Sequence, residues 1–325
     1  MKGSIGNSRF SLSRKDRHSI DVFFNTNSGS LLPIPDLTDF IGIYSQHAVN
    51  PSYFPSGGDM IAVQGDSDNA LITNTIIAPY PLDWASSGWT TAGTNPRLTE
   101  WIDQVNGLGT ANTEVGSVSN PSIDVGNESF DWISANTDGL TTANALPNGV
   151  TALTIFVAID VTTLDVNRVA IIKGNPIDQF GNSGRGQFTR GQFTIHALST
   201  GNGQIVVAQN SSSKATEINS KIYSLPPSTN GKLLLTAILD RTASVSDQTK
   251  MWLNGVNVGV DSGTVDMASG SFEPIQIGIG WGDSGGGVSY FDGSISNVWI
   301  ATGAFNDARR EEVEAFIAQI TGITL

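Results

Sequence analysis

Residues 290–325 read YFDGSISNVWIATGAFNDARREEVEAFIAQITGITL. Asp292-Gly293 predicts a turn that leads into an alternating strand, followed by a short loop and one amphipathic helix. Asn306 or Asp307 supplies an N-cap oxygen, and Glu311 and Glu312 sit early, where the helix dipole favours negative charge. Val313, Phe316, Ile317 and Ile320 follow the i, i+3, i+4, i+7 spacing of a single apolar stripe, and Gly322 stands where a helix closes. Glu311, Glu312 and Glu314 are expected on the solvated face. One helix on an otherwise strand-rich chain must cover something, and an open sheet edge or one end of a sandwich is the expected target.

Upstream of this segment the pattern is strands and turns. Residues 274–280 and 288–300 are expected as the last two strands, and 250–259 (KMWLNGVNVG) as a hairpin. Its Asn254-Gly255 pair suits a type I′ turn, which needs positive φ at both central positions. Residues 232–240 alternate or are near-continuously apolar, as a strand covered on both faces can be; 153–161, 169–173, 192–198 and 204–209 are further strands. Charged residues make up only 14% of the chain, which favours many short strands over long surface helices.

Cysteine is absent, which excludes disulfides, thiol catalysis and cysteine-ligated zinc. No apolar run approaches the roughly 18 residues of a membrane span. The N-terminus lacks the apolar core of a secretory signal, so export by that route is not expected.

The net charge of −13 is unevenly spread. Lys2, Arg9, Arg14, Lys15 and Arg17 lie in the first 18 residues with only Asp16 opposing them, and the next cation is Arg97. This arm suits docking on an acidic partner surface, or else serves as a solubilising tail. The acidic body argues against general nucleic-acid binding, since phosphate contacts need clustered cations.

Several motifs carry a resemblance. The closing segment resembles the strand–helix ending of concanavalin A-like lectin/glucanase (laminin G-like) domains. Leu98-Thr-Glu-Trp-Ile-Asp-Gln-Val-Asn-Gly107 is similar to their early "W.DqsGnG" stretch, and residues 121–140, with Phe130-Asp-Trp-Ile and Asp138-Gly-Leu, resemble the segment after it. The Asn-Gly hairpin is also common in that family. The resemblance covers about 97–325. It implies an all-β chain: an antiparallel β-sandwich (jelly roll) with one C-terminal α-helix, here preceded by an extended N-terminal arm. Residues 1–40 are then the arm and a Pro-containing linker. Residues 41–96 are either part of the sandwich or a small anchoring subdomain.

Gly282-Asp283-Ser284-Gly285-Gly286 spells the nucleophile signature of trypsin-like proteases, but His18, His47 and His196 offer no suitable partner context for a triad. The same loop satisfies GxGxxG, yet a dinucleotide site needs a helix after it and the sequence predicts a strand. The paired glutamates of the catalytic family branch, needed about 5 Å apart for retaining hydrolysis, have no counterpart. No enzymatic activity is expected. Trp281 and Asp283 in this loop, and Arg185 and Arg190 in the repeated RGQFT pentapeptide of 185–194, are the candidate ligand contacts; for Trp281 a core position, and for the repeat a mere local duplication, are the alternatives. Asp66, Asp68 and Asn69 form a fragment of a calcium site, without the glycine and the final glutamate of a full loop, and no other cofactor is indicated.

These features together suggest a virion protein, a head decoration, head fibre or tail fibre. Its arm would engage other virion proteins and its sandwich cell-surface polysaccharide, in a homo-oligomer for which a trimer is one option. A free-standing carbohydrate-binding module at a bacterial surface or secreted is the alternative, and a polysaccharide depolymerase the lesser one.

Overall fold

The computed structural model of the chain describes residues 32–46, 49, 62–65, 71–76, 97–113, 120–124, 129–132, 138–147, 149–161, 169–174, 193–198, 204–210, 218–224, 231–261, 274–281 and 288–325. Among them, nineteen strands form one continuous antiparallel sheet, folded over into two layers with a single α-helix, α1 (Asp307–Thr321), on the outside.

The back layer runs Phe40–Ser45, Gly293–Thr302, Ala152–Val161, Gly231–Asp240, Thr249–Leu253 and Val256–Asn257. The front layer runs Leu71–Ile76, Ala62–Gly65, Arg97–Trp101, Ala111–Thr113, Leu140–Ala145, Pro274–Ile277, Val169–Gly174, Phe193–Leu198, Gln204–Asn210, Ile218–Ser224 and Val260–Asp261. Ser122–Asp124 and Ser129–Trp132 bridge the layers, pairing with Arg97 on one side and with Gly293 and Ser294 on the other. The architecture is the expected sandwich.

The main core lies between the layers. Ile155, Val157, Leu235, Val298 and Ile300 from the back meet Ile275, Ile277, Ile195 and Val207 from the front. Alternate residues of the same back strands, Phe156, Ala158, Leu234, Trp299 and Ala301, join a second core with Val313, Phe316 and Ile317 of α1. Burial on both faces is why 233–239 is apolar apart from Thr236. It also corrects the expected target of the helix. α1 covers a sheet face, because three ten-residue back strands carry apolar side chains on both sides.

The helix termini follow the sequence. Asn306 is extended and its side chain accepts from the Arg309 N–H at 2.9 Å. Gly322 closes the helix at φ 70°, a conformation that disfavours any residue with a Cβ. In the predicted hairpin Asn254 and Gly255 have φ of 48° and 77°, as a type I′ turn requires.

Glu314 is a correction. It is buried against the sheet rather than solvated, paired with Arg310 one turn earlier. Residues 274–280 and 288–300 are each broken in two, at Gly278 and at Phe291–Asp292. Strand Ile218–Ser224 was not legible, because its pairing with Gln204–Asn210 and Val260–Asp261 defines it.

Pro33 and Pro35 hold residues 32–37 extended, as expected of a linker, but this stretch is packed as a strap across α1. Ile34 and Leu37 join the helix core, the Leu32 N–H donates to Gln319 Oε1 at 2.8 Å, and the Arg309 guanidinium donates to the Asp36 carbonyl.

Candidate functional site

The two outer faces of the sandwich differ in chemistry. On the back, cross-strand register aligns Trp252, Thr236, Phe156, Trp299 and Ile43 in one row, and α1 and the strap lie over that face. On the front, register aligns Asn112, Thr141, Gln276, Lys173, Thr194, Ala208 and Ser220, in opposite phase to the core residues Ile277, Ile275, Ile195 and Val207. That row consists of amide, hydroxyl and ammonium residue types with one alanine. The amides and hydroxyls both donate and accept hydrogen bonds and the ammonium donates, as recognition of a hydroxyl-rich ligand requires. Asn112 is exposed, Thr141 half-buried and Gln276 buried.

Beside strand Val169–Gly174 a two-stranded ribbon rises, Ile279–Trp281 paired with Val288–Tyr290. Gly278 makes this departure feasible. Its φ is 76°, and a Cβ there would lie 2.2 Å from the Trp132 indole. The base of the ribbon is tied by the Phe291 N–H donating to the Gly278 carbonyl at 2.8 Å. Trp281 ends the first ribbon strand, opposite Val288. Residues 282–287, which hold Asp283 and the GDSGG serine, lie outside the described residues. They connect two strands, so the helix that a dinucleotide loop needs does not follow.

Arg185, Arg190, the calcium candidates Asp66, Asp68 and Asn69, and the arm residues Lys2, Arg9, Arg14, Lys15 and Arg17 also lie outside the described residues. Among the described residues no group of three or more His, Cys, Asp or Glu converges as a metal site would. No described helix is long and apolar enough to cross a membrane.

One buried carboxylate invites a functional reading and has a structural one. Asp103, in the Trp-Ile-Asp-Gln motif, accepts four backbone N–H bonds: Ile43 at 2.9 Å and Val105 at 3.1 Å on Oδ1, Leu108 at 2.8 Å and Gly109 at 3.1 Å on Oδ2. Burial pushes its pKa up, and the four N–H groups pull it back. Gln104 adds its own N–H to the Ile43 carbonyl at 2.9 Å and accepts from the Val49 N–H at 2.8 Å. Trp101 donates to the Ser45 carbonyl at 3.2 Å. The motif therefore clamps loop 103–109 onto strand Phe40–Ser45, the terminal strand of the back layer, where an unpaired edge would otherwise invite another chain. Gly107 is required because a Cβ there would sit 2.4 Å from the Ile41 carbonyl oxygen. Tyr44 completes the clamp, donating to the Gly109 carbonyl at 2.6 Å, with its phenol pKa raised by burial and by Asp103.

No family model matches the sequence, and no curated protein does. Among solved structures the chain is similar to the binding domain of botulinum neurotoxin DC, in complex with SialylT, at 12% identity and a TM-score of 0.46, covering 68% of this chain and 48% of that one. It is similar to the botulinum neurotoxin type G receptor binding domain at 16% and 0.41, covering 66% and 48%. It is also similar to domain 4 of AbnA, a GH43 extracellular arabinanase from Geobacillus stearothermophilus, in complex with arabinotriose, at 16% and 0.38, covering 67% and 82%. The chain spans about half the length of the neurotoxin domains it matches. Likeness at these identities and scores carries nothing about this chain's own ligand.

Proposed function

We propose that this chain is a non-enzymatic binding and display protein, with a lectin-like sandwich whose front face and adjoining ribbon take a polysaccharide. Its N-terminal segment attaches it to a larger assembly, a virion head or tail in the reading the arm favours. The observation that supports this is the inequality of the two outer faces. The back face is occupied by α1 and the strap, whose first described residue, Leu32, is tied to Gln319 of the helix. The front face carries the row of hydrogen-bonding residue types, flanked by the ribbon that ends at Trp281. Attachment behind and recognition in front need no shared surface.

An array of bacterial surface polysaccharides, probed with the wild-type chain and with Trp281→Ala and Lys173→Ala, tests the front face. Binding by the wild type that either variant loses supports the assignment; no binding by the wild type sinks it. Release of reducing sugar in the same wells would replace a binding module with a depolymerase. Attachment is tested separately, by mixing purified particles with the full chain and with a chain lacking residues 1–31. Equal retention of both would leave a free-standing carbohydrate-binding module.

A further inference from the structure

Charge is distributed unevenly over the two layers. The front strands Leu140–Ala145, Pro274–Ile277, Val169–Gly174, Phe193–Leu198, Gln204–Asn210 and Ile218–Ser224 lie side by side. Together they contain no Asp or Glu, in a chain that has 30. The adjoining ribbon strands, Ile279–Trp281 and Val288–Tyr290, contain none either. Along the layer the first carboxylate residues in either direction are Glu100, opposite Asn112, and Asp261, opposite Lys221. Each stands four strands from Lys173, roughly 19 Å at the usual strand spacing. Asp292, at the foot of the ribbon, already leads into the back strand Gly293–Thr302.

Three basic residues occur on those six strands: Lys173, His196 and Lys221. Lys221 is in phase with the core residue Val207. Ser244 and Lys250 chiefly, and Lys221 with them, hold the Asp247 carboxyl below its ordinary value, so this cation already has an anion to meet. Lys173 and His196 belong to the outward phase. Lys173 pairs with Thr194, and His196 stands two residues further along the same strand. Such diagonal neighbours lie about 7–8 Å apart on one face, within reach of a single ligand group. Gln276 pairs with Lys173 from the other side. Register therefore groups an ammonium, an imidazole, an amide and a hydroxyl residue at the middle of the layer.

The remainder of the chain sharpens the contrast. Its net charge of −13 repels an anionic polymer, but repulsion between exposed charges fades beyond roughly 8 Å at physiological salt. An anionic ligand is admitted where carboxylates stand further off than that and a cation is at hand. Among the described residues the middle of the front layer meets both conditions. The surface over α1 exposes Asp36, Asp307, Glu311 and Glu312 and excludes such a ligand.

Resting on the reading that the front face takes a polysaccharide, we propose that this polysaccharide is anionic. Lys173 and His196 hold its carboxylate or sulfate, and the amide and hydroxyl residues of the row take its hydroxyls.

Polygalacturonate beside the same polymer with its carboxyls reduced, and a sulfated glucan beside its unsulfated parent, test the charge requirement. The full chain should bind at least one acidic polymer tenfold or more tightly than its neutral counterpart, and added salt should erode that preference. Lys173→Gln should weaken the acidic binding roughly tenfold and His196→Gln by less, whereas Lys173→Arg, which keeps the charge, should retain it. A full chain with Lys2, Arg9, Arg14, Lys15 and Arg17 all changed to Gln should bind as the wild type does. Equal binding of acidic and neutral polymers, lost in Trp281→Ala, would keep the front face as a glycan site and overturn its anionic character. An acidic preference that survives Lys173→Gln, or that disappears with the arm cations, also overturns the proposal. No binding to any polymer, on this panel or on the array of surface polysaccharides, removes the parent reading with it.

Discussion

The back layer buries both of its faces in two different cores, whereas the described apolar residues of the front layer all join the one core between the layers. Strands Ala152–Val161 and Gly231–Asp240 alternate between two cores, so nearly every residue along them is fixed by a neighbour. The front strands are shorter, and their outward row is free to be chosen for other chemistry. A residue in the back layer should therefore matter chiefly for stability, and a residue at the front rim chiefly for binding.

The hardest blow to that contrast should come at Trp299. Its ring is fully buried, edge-on to Phe40 at 5.4 Å and tilted against Phe316 at 5.9 Å. Trp299→Ala is expected to cost about 4–5 kcal/mol, from lost transfer energy plus a cavity beneath the helix. A urea melt should show one earlier transition for the whole chain; survival of the front layer in a separate transition would mean that the layers are independent.

Asp103→Ala comes next, at about 3 kcal/mol, because it leaves three buried N–H groups and the part-buried one of Val105 without this acceptor. Its effect should concentrate at strand Phe40–Ser45, visible as faster amide exchange there. A smaller loss, about 1 kcal/mol, is expected for Asn306→Ala, which removes the N-cap acceptor of α1; helix amides should report it before the strands do. Trp281→Ala is expected to shift the melting curve least, by under about 0.5 kcal/mol, if the ribbon strand Ile279–Trp281 serves binding rather than packing. A large loss of stability at Trp281 would make it a packing residue and erase the distinction between rim and core.

The segments that were legible in the sequence are those whose structure is set by near neighbours. The α1 stripe, its Asn306 and Gly322 caps, and the Asn254-Gly255 turn all depend on residues within a few positions, where spacing and φ preference act directly. Glu314 escaped because i, i+4 spacing places it beside Arg310 but cannot say what the pair faces. The answer, Thr236 and Trp252, comes from strands about 60 to 80 residues away. The Asp103 clamp was visible only as a family-like motif. Its partner Ile43 lies 60 residues earlier, and no local pattern announces which backbone N–H groups a carboxylate will gather. At the candidate site Trp281 could be singled out from its loop as a candidate contact, but the polar row of the front sheet could not, because its members come from seven strands joined only by register.

The sequence by itself determined that this chain is strand-rich, that one capped helix ends it, and that no cysteine chemistry contributes. These follow from composition, side-chain period and turn preferences, which are local quantities. Only the tertiary structure decided that the helix lies on a sheet face, that the strap crosses it, and that register lines up polar residue types along the other layer. Those outcomes depend on which strands pair and in what register. Pairing partners such as Phe40–Ser45 and Gly293–Thr302 are separated by about 250 residues. Apolar pattern says that such a strand must be covered; only the assembled sheet says by what.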